Sequence, residues 1–181
     1  MKLIKKKIKG LFEIKLKKKK DKRGYFMRAC DNSILTKKKL NNNWIHFNES
    51  FTKKRGTFRG FHYQEKPYQE SKLVRVVKGS VQDIIIDLRK KSETYLSHVS
   101  IILSEGKNMI YIPRGCAHGF CTLQSNCIIS YFHDNIYKKS KERGILWKSK
   151  KLKIKFKIKP KFINKKDSKY KDISFIKKFN V

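Results

Sequence analysis

Residues 72–89, KLVRVVKGSVQDIIIDLR, hold two runs of β-branched and aliphatic residues either side of Lys78-Gly79-Ser80. Such runs around a short turn with a glycine, which takes positive φ at little cost, predict a β-hairpin. Period-two alternation also sorts the side chains by face. Val81, Asp83, Ile85 and Asp87 share one face, and Lys72 points with Val74 and Val76. Residues 98–120, HVSIILSEGKNMIYIPRGCAHGF, repeat the pattern with a turn at 104–108, and residues 126–137, NCIISYFHDNIY, add a further strand. Here His118 points with Phe120, and Tyr131 with Ile129 and His133. Helical periodicity is weak throughout. Short strands at regular spacing with Gly and Pro turns predict an all-β sandwich or closed barrel. Asp83, Lys72, His118 and Tyr131 are then polar groups set among apolar neighbours. A buried charge must pair or line a wet cavity, and a barrel interior with polar inserts is a ligand site.

The chain of 181 residues, 39% of them hydrophobic, is long enough for one cored domain and short for two. We take 1–181 as a single unit: a strand arm over 1–22, a core over 23–148, and a C-terminal segment over 149–181. A formal charge of +33 invites a nucleic-acid reading. The lysines, however, run from end to end, and in stretches such as 148–166, KSKKLKIKFKIKPKFINKK, they alternate with apolar residues as the solvent face of a strand does. No zinc-finger spacing, recognition-helix pattern or aromatic RNA-binding signature accompanies them. No specific nucleic-acid partner is therefore expected. Cys30, Cys116, Cys121 and Cys127 form no CxxC pair, which predicts reduced thiols rather than a disulfide framework. Lysine breaks the N-terminal stretch every few residues and no run approaches the roughly 18 apolar residues of a membrane helix, so neither a signal peptide nor a membrane span is expected, and a cytoplasmic location follows.

Two segments resemble the paired motifs of the cupin jelly rolls. IPRGCAHGF (112–120) matches Pro-x-Gly-x-x-His, ending at His118, whereas the His-x-His of the other motif is His62-Tyr63-Gln64 here. With Gln64 where a second imidazole belongs, the ligand set is incomplete, and no metal site is expected. RGTFRGFHYQ (55–64), KLVRVVKGSVQDIIIDLR, IPRGCAHGF and SYFHDNIYKKSKERGILW (130–147) together resemble the nucleotide-sugar 3,5-epimerases of the dTDP-4-dehydrorhamnose 3,5-epimerase type. DKRGYFMRACD (21–31), FNESFTKKRG (47–56) and FINKKD (162–167) extend the likeness over nearly the whole chain.

The resemblance implies a cupin-type jelly-roll barrel with extra N-terminal strands and a short helical or irregular C-terminal segment. It also implies a homodimer, no cofactor, and a nucleotide-diphosphate sugar as substrate. In that family a ketone at C4 acidifies the hydrogens at C3 and C5, so inversion needs a base, an acid on the opposite face and an enolate stabiliser. The match assigns His62 as base, Asp167 as its orienting carboxylate, Tyr131 as acid and Lys72 as the enolate's partner. It gives Arg23 and Arg59 to the diphosphate, Tyr137 to stacking on the nucleobase, and Asn48, Glu142 and Lys166 to polar substrate contacts, with Asp83 and His118 as a pair organising the cavity. Four positions depart from the family pattern: Arg28, His46, Phe47 and Phe132. Three of them, Arg28, His46 and Phe47, fall where the nucleotide is expected, and Phe132 follows the acid. Epimerisation at a single carbon of another nucleotide sugar, and a cupin-like sugar-binding module without turnover, are the alternative readings.

Overall fold

The computed structural model describes residues 1–176 and 179–181. Thirteen strands carry the fold: β1 (Lys2–Lys5), β2 (Phe12–Lys15), β3 (Lys18–Asp21), β4 (Gly24–Met27), β5 (His46–Thr52), β6 (Phe58–Gln64), β7 (Lys72–Lys78), β8 (Ser80–Asp87), β9 (His98–Ser104), β10 (Asn108–Ile112), β11 (Cys116–Thr122), β12 (Cys127–His133) and β13 (Glu142–Gly144). Two short helices join them, α1 (Asn32–Lys37) and α2 (Lys165–Ser168). One sheet has the order β1-β2-β10-β7-β12-β5, a second β13-β6-β11-β8-β9, and β3 and β4 form a separate two-stranded ribbon. Every named pairing is antiparallel. The expected all-β jelly roll is the architecture found.

Both expected hairpins are corners instead. β7 lies in the six-stranded sheet and β8 in the five-stranded one, and the same holds for β10 and β9. Gly79, at φ +87°, turns the chain from one sheet to the other, and a Cβ there would meet Cys127 Sγ at 2.7 Å. Alternation assigns faces correctly because it is a property of each strand alone. It carries no information on which strand pairs with which. Within the barrel, Val74, Val76, Ile110, Ile112 and Ile129 of one sheet pack against Val81, Ile85, Leu103 and Phe120 of the other.

The outer faces are covered too, which explains why Ile84, Ile85 and Ile86 run consecutively with no polar alternation and are all fully buried. Ile84 and Ile86 join Phe58, Phe61, Ala117 and Cys121 in a second core closed by Ile145, Leu152 and Ile173. On the six-stranded sheet, Phe12, Ile14, Leu73, Met109 and Tyr111 lie beneath Leu35 of α1. That helix is capped by Asp31, whose side chain accepts from Ser33 N. The alternating stretch 152–158 buries its apolar side but joins no sheet, contrary to the strand reading. It leaves a 3-10 turn at Lys150–Leu152 through Lys153, at φ +49°, and runs over the five-stranded sheet, tied to it by Gln82, which donates to Lys155 O at 2.9 Å and accepts from Lys157 N at 2.7 Å. Lying across a face rather than along an edge, its other backbone groups find no ladder partner.

β6 and β11 approach unusually closely where their register shifts between His118 and Phe120. Gly60, at φ +136°, has Gly119 Cα only 2.5 Å and His118 O 3.0 Å from where a Cβ would stand. Those neighbours are backbone and cannot rotate aside. Gly60→Ala should therefore lose at least about 1–3 kcal/mol of stability, the scale of glycine-only backbone strain. Urea denaturation would check this, and a wild-type midpoint for the variant would refute the close approach.

Candidate active site

A cavity of about 300 Å³ is lined from both sheets. β6 and β11 of the five-stranded sheet contribute Arg59, His62, His118 and Phe120. β5, β7 and β12 of the six-stranded sheet contribute Asn48, Glu49, Ser50, Lys72, Tyr131 and His133. Asn164 and Asp167 close it from the C-terminal segment.

Asp167 is fully buried and reaches the site from a helix of only four residues. Asn164 caps that helix by accepting from Asp167 N at 2.6 Å. The Asp167 carboxylate accepts from Gly60 N at 3.0 Å, and its other oxygen lies 2.8 Å from His62 Nε2. An ionised carboxylate only accepts, so His62 Nε2 carries the proton and Nδ1 is the basic nitrogen. Burial raises the Asp167 carboxyl pKa, but the hydrogen bond and charge of His62, with help from Gly60 N–H and Lys166, bring it below the usual value. His118 Nε2 lies 2.8 Å from Asp83 Oδ2 in the same way, and Asp83 is fully buried. Asp83 Oδ1 has no protein partner among the described residues. His118 pairs directly with His62 across the β6–β11 ladder.

On the opposite sheet, the Tyr131 hydroxyl and Ser50 Oγ are 2.8 Å apart. Burial pushes the Tyr131 phenol well above its usual pKa; Ser50 and Arg59 draw it back only in part, and Asp83 raises it further. It is a protonated donor across the physiological range. Lys72 is buried, with its ammonium 3.1 Å from Glu70 Oε1. Arg59 is anchored at the mouth by Nε donating to Thr52 Oγ1 at 3.2 Å and Nη2 to Phe51 O at 3.3 Å.

Of the residues singled out in the sequence, His62, Lys72, Tyr131, Asp167, Arg59, Asn48 and His118 line one cavity, with Asp83 directly behind. Tyr137, Glu142 and Lys166 form a cluster outside the lining: Tyr137 Oη donates to Glu142 Oε2 at 2.7 Å, and Lys166 Nζ donates to the same oxygen at 2.5 Å. It stays close to the site, because Lys166 precedes Asp167 and β13, which begins at Glu142, pairs with β6. Arg23 is not brought to the cavity. It sits on the β3–β4 ribbon, its side chain 90% exposed and paired with Asp21 at 2.7 Å. The ribbon belongs to neither large sheet, so nothing within the chain carries Arg23 to the site.

Glu49, Ser50, Phe120, His133 and Asn164 also line the cavity and were not expected. Alternation alone could have found Ser50 and His133, since Ser50 shares a face with Asn48 and His133 with Tyr131. Two departures from the family pattern explain each other: Phe47 and Phe132 are direct cross-strand partners, with ring centroids 4.6 Å apart. Arg28 pairs with Asp31 at 3.3 Å. Among the described residues, no group of three or more His, Cys, Asp or Glu is placed to hold a metal ion. Nor is any described helix long and apolar enough to cross a membrane.

Two antiparallel sheets around a cavity that holds a carboxylate-oriented imidazole on one wall and a protonated phenol on the other define a cupin-type jelly-roll protein equipped for acid–base chemistry. The family model for dTDP-4-dehydrorhamnose 3,5-epimerase matches residues 5–174. The chain belongs to that family and is an isomerase. A dTDP-4-dehydrorhamnose 3,5-epimerase from Shigella flexneri is 38% identical over 151 residues, spanning 81% of this chain and 82% of its own. Among solved structures, the dTDP-4-dehydrorhamnose 3,5-epimerase of Sulfolobus tokodaii superposes with a TM-score of 0.88 at 34% identity, covering 99% of both chains. An epimerase from Legionella pneumophila in complex with dTDP-4-keto-L-rhamnose gives 0.91 at 29% identity, covering 97% of this chain and 94% of that one.

Because the folded pKa of Asp167 lies below that of an unfolded aspartate, its contribution to stability is complete above the unfolded value of about 3.9. The contribution is lost as pH falls through the folded value. Asp167→Asn should therefore flatten the acid side of the stability profile, which chemical denaturation at stepped pH would measure. A variant profile as steep as wild type would show that the His62–Asp167 pair is not maintained.

Proposed function

We propose that the chain inverts C3, C5 or both of a nucleotide-linked 4-keto-6-deoxyhexose, a conversion of the dTDP-4-dehydro-6-deoxyglucose to dTDP-4-dehydrorhamnose type. The observation that carries this reading is the placement of His62 and Tyr131 on different sheets around one cavity. Inversion requires proton removal from one face of a carbon and delivery to the other. His62 Nδ1 takes the proton from the carbon beside the ketone, and the C–H electron pair moves onto the ketone oxygen as an enolate. Asp167 holds the ring and stabilises the imidazolium. Lys72 supports the enolate oxygen, a kind of preorganised contact commonly worth several kcal/mol. Tyr131 delivers its proton to the opposite face, and solvent returns a proton to the phenol and takes one from His62. Every step moves a proton between substrate, these side chains and solvent.

Arg59 takes the diphosphate, since a guanidinium fork matches phosphate oxygens in pairs. Asn48 and the Tyr137–Glu142–Lys166 cluster contact the nucleotide or sugar, and the Asp83–His118 pair shapes the wall. The chain works as a cytoplasmic homodimer. Tyr25 and Phe26 on the ribbon, and Phe47 and Phe51 on β5, the edge strand of the six-stranded sheet, are all more than half exposed, and an apolar surface of this kind favours a partner. A second copy is also the route by which Arg23 reaches a substrate. Sedimentation should give twice the 21.6 kDa chain mass; a monomer at catalytic concentrations would rule the dimer out.

The decisive experiment offers 4-keto-6-deoxyhexoses on dTDP, GDP, UDP and CDP to the protein in deuterated water, with isotope position and stereochemistry read by NMR. Wild type should incorporate deuterium at the inverted carbons, and the panel separates one-carbon from two-carbon inversion and names the carrier. His62→Asn should lose both exchange and inversion by at least about 10²-fold. Tyr131→Phe should lose inversion while exchange with retention persists, because the base and the enolate stabiliser remain. Exchange at the wild-type rate in His62→Asn would disprove the base, and undiminished inversion in Tyr131→Phe would disprove the acid. Absence of exchange with every sugar would favour a binding module.

A further inference from the structure

Behind the wall that carries Tyr131, one carboxylate gathers three polar side chains. Glu70 precedes β7; its Oε1 is 3.1 Å from Lys72 Nζ, and its Oε2 is 3.2 Å from His133 Nδ1. Gln64 Nε2 also donates to Glu70 Oε2, at 3.0 Å. Lys72 and His133 are direct cross-strand partners in the β7–β12 ladder, and both line the cavity. Glu70 and Gln64 stand behind them and do not.

The carboxylate is held from both sides. Gln64 Nε2, whose two hydrogens are shared with Glu70, also lies 2.9 Å from Tyr68 O and 3.1 Å from Ile136 O, and its Oε1 accepts from Lys138 N at 2.8 Å. Both ends of the amide are engaged, so the side chain cannot turn, and the donor it presents to Glu70 is fixed in direction. The position that lacks a second imidazole thus has a different task. Burial alone raises the Glu70 carboxyl pKa, yet Lys72 and His133 bring it down to about 2. Beside an ionised carboxylate a lone pair on His133 Nδ1 would be repelled, so Nδ1 carries hydrogen and Nε2 remains for the cavity.

Resting on the epimerase reading above, we propose that Glu70 is a positioning residue of the reaction, holding the Lys72 ammonium toward the enolate oxygen and setting the His133 tautomer so that Nε2 meets the substrate hexose. The negative charge is what performs this task, and the shape of the side chain is secondary. Glutamine copies the shape without the charge, and its amide would turn a donor toward groups that already donate. Aspartate keeps the charge with a shorter reach.

The test compares wild type, Glu70→Gln and Glu70→Asp, each confirmed folded by circular dichroism and urea midpoint. For Glu70→Gln, kcat and the rate of deuterium exchange should fall about 10- to 100-fold, the scale expected when a catalytic group is misplaced by an ångström or so. KM should move by no more than about threefold, since the contact with Lys72 matters most once charge develops on the substrate oxygen. Glu70→Asp should recover more kcat than Glu70→Gln. A structural role predicts the reverse, because glutamine preserves the packing better. Wild-type kcat in Glu70→Gln, or a better glutamine than aspartate variant, overturns the proposal. A second measurement needs no substrate: ¹⁵N side-chain NMR of histidine-labelled protein, with the His133 signals assigned by their loss in His133→Phe. The wild-type ring should be protonated at Nδ1, and Glu70→Gln should shift the proton toward Nε2. An Nε2–H ring in wild type overturns the proposal even if no sugar on the panel turns over, whereas Nδ1–H with no turnover supports it and faults only the epimerase reading.

Discussion

A carboxylate sealed from water must be neutralised where it stands, and in this chain that constraint places most of the functional groups. Only 14 acidic residues face 47 basic ones, yet Glu13, Asp83, Asp87, Asp134 and Asp167 are all buried, and Glu70 nearly so. Each holds a defined partner: Lys6 and Lys15, His118, Arg89, Arg114, His62, and Lys72 with His133. Three of these pairings lie at the cavity. The cost of burying an unpaired charge fixes the His62, His118 and Lys72 side chains before any substrate arrives. Of these, the His62–Asp167 bond spans 105 positions and ties the C-terminal segment to β6.

The division of the barrel into two sheets adds the second condition. Neighbouring residues in sequence are sent to different sheets at Gly79 and again between β9 and β10, so that groups from both sheets converge on the same space. The inversion proposed for this site needs its acid and its base on two walls. A meander in one sheet would align His62 and Tyr131 along a single surface, whereas the jelly-roll connections set them on two. The lysine-rich surface plays no part in that geometry. Many of its side chains stand on the solvent side of segments such as 152–156, whose Leu152, Ile154 and Phe156 pack on the outer face of the five-stranded sheet.

The chain by itself determined most of the strands and the face of the polar inserts Lys72, Asp83, His118 and Tyr131. Lys72, His118 and Tyr131 all point where alternation directs them, because the period of a strand is local and needs no partner. His62, Asp167 and the flanking motifs were legible as a family pattern, and the fold and cavity agree with it. Tertiary structure alone decided which strands pair and that Arg23 stays on an outlying ribbon. It also decided that Gln64 braces Glu70, and that Phe47 and Phe132 pack on each other. These are contacts between residues that are mostly far apart in sequence. Periodicity says which way a side chain points from its own backbone; what it meets there depends on the packing of the whole chain.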